Sequence, residues 1–218
     1  MKLKDTLKLL RYTQTPQLNL VITILFGICA LVTAIPSVNG MMGAFWANYL
    51  PMYFIGQITT VTFSDMMQSS EKFKKIVTRN CALLLAIANV LGYILFGVIR
   101  TVLSYAMGME EYVGSFLIAY MIFQILYILY GTVIYKNVKL GILLMAPVFL
   151  LIIFASYDGG PASVFSKWAA MADVKFFLIL TAIVCLLSPL LYYVMSTLLY
   201  KVSYSEGMIK RAERQETV

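Results

Sequence analysis

The chain of 218 residues contains no histidine. A histidine-based catalytic triad and a histidine-liganded metal site are therefore excluded. Charge is scarce: only 12% of residues are Asp, Glu, Lys or Arg, while 61% are apolar. A soluble domain carries roughly twice that charged fraction. Cysteine is limited to Cys29, Cys81 and Cys185, an odd number, each within or at the end of an apolar run. Neither a disulfide framework nor a cysteine metal site has support in that pattern. No Gly-x-x-x-x-Gly-Lys-Ser/Thr phosphate loop occurs, so the chain does not hydrolyse ATP by that route. There is no internal repeat, no low-complexity tract and no sign of the duplicated halves common in secondary transporters.

The chain does contain six long apolar runs, near residues 17–36, 41–63, 80–99, 113–135, 140–156 and 176–200. Six spans of about 20 residues occupy half the chain or more, which leaves one compact membrane domain with short loops. Numbering the connections alternately sorts the basic residues. One side holds Lys2, Lys4, Lys8, Arg11, Lys72, Lys74, Lys75, Arg79, Lys136, Lys139, Lys201, Lys210, Arg211 and Arg214. The other side holds only Arg100, Lys167 and Lys175. Short basic loops stay in the cytoplasm, so this pattern predicts an all-α integral membrane protein of six transmembrane helices with both termini inside. The net charge of +7 is then a topology signal with an attraction to anionic headgroups, not a nucleic-acid footprint.

Three connecting segments carry structure of their own. In residues 1–15, Leu3, Leu7 and Leu10 share one helical face flanked by Lys4, Lys8 and Arg11, which predicts an interfacial amphipathic helix. The alternative is a plain basic flank. Residues 16–200 form the membrane domain and 201–218 a charged cytoplasmic tail. The inner loop at 64–75 reads as a short helix beginning at Ser64 and Asp65. Met66, Met67 and Phe73 lie there beside charges of both signs, including Glu71, with Gln68 between them. Methionine gives adaptable contact surface and mixed charge gives register, as a partner-docking helix requires; the alternative is an ordinary topogenic loop. In the outer segment 157–175, the turn at Asp158-Gly159-Gly160-Pro161 precedes Val164, Phe165, Trp168, Ala169 and Ala172 at helical spacing. That predicts a helical segment re-entering the outer leaflet, either as an outer gate formed by Phe165 and Trp168 or as a surface helix anchored by Trp168. Val32-Thr33-Ala34 resembles a cleavage site, but the first run is read as a span.

No Asp, Glu, Lys or Arg lies in the middle of any apolar run. Ion-coupled carriers and voltage sensors place charges at that depth, so gradient coupling is disfavoured. An intramembrane protease has no catalytic constellation here. The polar residues in the runs are neutral: Asn48, Gln57, Thr59, Thr60, Asn89 and Gln124. They serve either as interhelical hydrogen bonds or as the lining of a translocation path, for which Asn48, Gln57, Gln124 and the deep Tyr127 are the candidates.

Taken together, the segment at 2–15, the six runs, the loop at 64–75 and the outer segment at 157–175 resemble the membrane subunit of a type-2 ABC exporter. That family has an elbow helix, six spans, a coupling helix between spans two and three, and a re-entrant hairpin before span six. The stretch Met66-Met67-Gln68-Ser69-Ser70-Glu71 resembles its coupling loop, in which an acidic residue precedes a basic run. The small size and bare loops look most like bacterial exporters of phenol-soluble modulins or bacteriocins. The resemblance implies a plasma-membrane location and a partner half that is a second copy of this chain or a homologous permease. It also implies a separate cytosolic ABC ATPase that carries ATP and Mg and docks on Asp65, Met66, Met67, Gln68, Glu71 and Phe73, and an amphipathic-peptide or lipid-like cargo. The competing reading is a non-transporting membrane scaffold or immunity protein.

Overall fold

Long apolar stretches with few breakers leave the backbone little choice but to satisfy its own hydrogen bonds as helix. In a computed structural model, the described residues are 3–9, 16–36, 40–60, 70–134, 136–155, 167–169 and 171–202, and no strand occurs among them. The helices are α1 (Leu3–Lys8), α2 (Pro16–Ala34), α3 (Gly40–Thr60), α4 (Glu71–Ala106), α5 (Val113–Ile134), α6 (Val138–Ala155) and α7 (Val174–Tyr200). Three helical stretches, Glu71–Ala106, Glu110–Val133 and Val174–Tyr200, are long and apolar enough to cross a membrane, and Gln17–Val32 is a shorter apolar helix. The chain is thus a helical membrane protein.

Local chemistry sets several boundaries. Helix α2 begins on Pro16, whose fixed φ suits a first turn. It ends just before Ile35-Pro36, where the ring disfavours helical geometry for the preceding residue. Asn137 caps α6, its Oδ1 accepting the Leu140 N–H at 3.2 Å.

Residues 100–112 read from the sequence as an outer loop, with helical continuation as the alternative. The continuation is present: α4 runs through Arg100 to Ala106. No proline lies between 71 and 106 to stop it. Gly108 ends it instead, at φ 68. The Met109 N–H reaches Ser104 O at 2.8 Å and the Gly108 N–H reaches Tyr105 O at 3.3 Å, the hydrogen-bond pair of a Schellman cap. Two stretches of α4, Ile76–Asn80 and Tyr93–Ile99, are π-helical.

Helix α5 is the centre of the bundle, packed by α3, α6 and α7, while α4 bridges α3 and α7 and α2 lies against α3. Tyr120, Tyr127, Phe123, Leu117 and Ile128 of α5 are fully enclosed. The periphery is apolar: Leu20, Ile24, Leu25, Ile28 and Leu31 of α2, and Leu140, Ile142 and Leu143 of α6, are exposed. Hydrocarbon solvates such a surface without cost.

Candidate functional site

The N-terminal end of α4 gathers residues from three helices. Lys72, Lys74 and Lys75 are exposed on its first turn. The Lys75–Glu71 pair, at 3.9 Å with side chains 69% and 89% exposed respectively, adds little stability. Phe73, expected to face a partner, is half-buried and packs against the chain's own core. Asp65, Met66, Met67 and Gln68 lie outside the described residues. Immediately after this turn, Asn80 Nδ2 donates to Thr6 Oγ1 at 2.7 Å. Both residues are buried, so α1 is fastened to the base of α4. Of the expected interfacial helix, 3–8 is helical and 10–15 lies outside the described residues. Tyr192 Oη of α7 donates to Val77 O at 3.0 Å, inside the first π-helical stretch. Such stretches release carbonyls from regular helical pairing.

Lys136, between α5 and α6, donates to Val202 O at 2.9 Å and Tyr200 O at 3.4 Å. Burial pushes its ammonium down to about 8, so it remains charged at neutral pH. There it satisfies carbonyls at the end of α7, where a cation is favoured. Lys74 Nζ lies 5.9 Å from the centre of the same Tyr200 ring.

In the interior, Gln124 belongs to a closed polar network joining α4, α5 and α7. Its Nε2 donates to Ser188 Oγ at 2.8 Å, and its Oε1 accepts Cys185 Sγ at 3.4 Å. Asn89 Nδ2 donates to Ser188 Oγ at 2.6 Å and Cys185 O at 3.2 Å. The Cys185 carbonyl needs a partner because Pro189, four residues on, has no N–H to give it. Asn48 Nδ2 donates to Ala44 O at 2.8 Å within α3 and to Tyr120 O of α5 at 3.1 Å. Gln57 sits elsewhere, half-buried between α2 and α3. Its Oε1 accepts Asn19 Nδ2 at 2.9 Å, and Asn19 Oδ1 accepts Tyr53 Oη at 3.0 Å. The four residues read as a path therefore do not converge: Asn48 and Gln124 are enclosed in separate helix contacts, Gln57 faces α2, and Tyr127 lies among rings of α3.

That ring group contains Phe26 of α2, Phe45, Trp46, Tyr49 and Tyr53 of α3, and Phe123 and Tyr127 of α5. No motif marks Phe26 or Trp46 in the sequence. The spacing of 46, 49 and 53 on one helical face was the available signal.

Toward the C-terminal end of α4, Arg100 is 3% exposed. Its Nη1 donates to Ile35 O at 3.0 Å, and its guanidinium stands 4.2 Å from the Phe116 ring centre, a cation–π contact. Trp168 is 49% exposed, and its neighbour Ala169 abuts Gly114, where an added Cβ would meet Ala169 Cβ at 2.6 Å. Phe165 lies outside the described residues. No family model matches the chain, and neither curated proteins nor solved structures give a significant match.

Proposed function

We propose that this chain is the membrane subunit of a type-2 ABC exporter, moving amphipathic peptides or lipid-like molecules out of a bacterial cell across its plasma membrane. In this reading α2 to α7 are six spans with both termini inside. Two copies, or one copy and a homologous permease, enclose the path. A separate cytosolic subunit binds and hydrolyses ATP with Mg, and the turn at the inner end of α4 receives its motion.

The observation that carries the reading is the construction of that inner end. At about 1.5 Å per residue, the 36 residues of α4 extend well beyond a hydrocarbon core of about 30 Å. Its lysine-bearing first turn therefore has length to project past the bilayer, and the Thr6–Asn80 and Tyr192–Val77 bonds tie that turn to α1 and α7. A push on the turn would move three helices together. No charge lies in the middle of an apolar run, which supports a cargo that is not a small ion.

The test is purification of the chain from its source cells, beside a variant carrying Asp65→Lys, Met67→Ala and Glu71→Lys. A cytosolic ATPase is expected at equal stoichiometry with the native chain and absent from the variant. The interhelical bonds of Asn48 and Gln124 favour the competing scaffold or immunity reading, which predicts that no ATPase accompanies the native chain.

A further inference from the structure

Trp46, Tyr49 and Tyr53 stand on one face of α3, each half-buried. Phe26 from α2 inserts among all three. It stacks on Trp46 at 4.9 Å and meets Tyr49 edge-on at 4.9 Å and Tyr53 at 5.8 Å. Tyr49 continues inward to Tyr127 at 5.7 Å, and Phe45 stands 5.5 Å from the same ring. Tyr127 is 1% exposed, and its Oη has no hydrogen-bond partner among the described residues.

A phenol hydroxyl in an apolar interior loses its water bonds and must replace them. Phenylalanine at 127 would keep every ring contact without that cost, so the hydroxyl needs a reason beyond packing. Helix α2, which carries Phe26, is the most loosely enclosed of the long helices: it packs chiefly on α3 and leaves most of its surface exposed.

We propose that Phe26 plugs a binding pocket whose polar floor is the Tyr127 hydroxyl and whose ligand is an uncharged stretch of amphipathic peptide. An apolar side chain of the peptide takes the place of Phe26 among the rings of Trp46, Tyr49 and Tyr53. A main-chain carbonyl beside it accepts the Tyr127 hydrogen bond. None of the six residues carries a charge, and an acyl chain has no acceptor along its length, so the pairing of rings with one hydroxyl fits a peptide better than a lipid tail. The pocket deepens the export reading and, as a cargo site, rests on it.

The two tryptophans of the chain give the experiment its signal. With Trp168→Phe in a nanodisc, Trp46 is the sole tryptophan. The probe is a synthetic amphipathic peptide without Trp or Tyr, carrying one bromophenylalanine as quencher. Saturable quenching is expected. Tyr127→Phe should weaken it roughly fivefold, the effect of one net hydrogen bond, without lowering thermal stability. Phe26→Ala should tighten it. Quenching that rises linearly with peptide, or is the same in all three chains, overturns the pocket and reports partition into lipid only. ATPase co-purification tests the export reading separately. A chain that captures the ATPase but shows no saturable quenching loses the pocket alone. One that saturates without an ATPase keeps the pocket and loses the export reading.

Discussion

Ser188 shows how one small side chain holds a polar interior together. Its hydroxyl accepts from both Asn89 and Gln124 and donates to Cys185 O at 3.3 Å. Ser188→Ala leaves two amides short of an acceptor, so it should destabilise the fold by about 1–3 kcal/mol, the range for a buried group left without its partner. Thermal unfolding in detergent measures this, and Asn89→Leu combined with Ser188→Ala should cost less than the sum of the two. The residues of this network were visible as neutral polar positions within apolar runs. Their pairing was not, because Asn89, Gln124 and Ser188 come from three helices whose rotation no single-helix period specifies. The proline-released carbonyl of Cys185 was a sequence-level clue, since Pro189 always leaves the residue four before it unpaired.

At the scale of the element, α4 shows how tertiary contacts choose between two readings. Arg100 is charged and follows an apolar run, which leaves a loop and a continued helix both open. The tertiary structure gives its guanidinium a carbonyl and an aromatic face, so the helix continues past it. The stop comes at Gly108, whose φ of 68 is strained for a residue with a Cβ. Gly108→Ala should cost about 1–2 kcal/mol and fray the last turn of α4, seen as faster amide exchange at 103–107, while Gly27→Ala, with nothing near the added Cβ, should be neutral or slightly stabilising. The ends of α2 and α6 were more legible, because Pro16, Pro36 and Asn137 act through their own backbone neighbours.

For the whole molecule, the asymmetry of basic residues makes a prediction about sidedness. Cys81 and Cys185 are buried and Cys29 is exposed, so Cys29→Ser gives a background in which an impermeant maleimide reports only on an added cysteine. Lys72→Cys should label from the inside alone and Glu110→Cys from the outside alone. Labelling of both from one face would overturn the six-span arrangement. The ring group beneath α2 belongs to this scale too, since it draws on residues 26, 45–53 and 127, too far apart for any local pattern to unite.

Composition and periodicity by themselves determined that this chain is helical, apolar and built to lie in a membrane, because hydrocarbon leaves an uncharged backbone no other way to pair its polar groups. They also marked the neutral amides within the apolar runs and the basic segments between them. Only the tertiary structure decided that Asn48 and Gln124 lock helices together, that α1 is tied to α4 through Thr6 and Asn80, and that the Tyr127 hydroxyl has no partner among the described residues. Those outcomes depend on which helix faces meet, and in a bilayer that choice is made by side-chain packing and a few hydrogen bonds between distant segments, not by the hydropathy that places each segment.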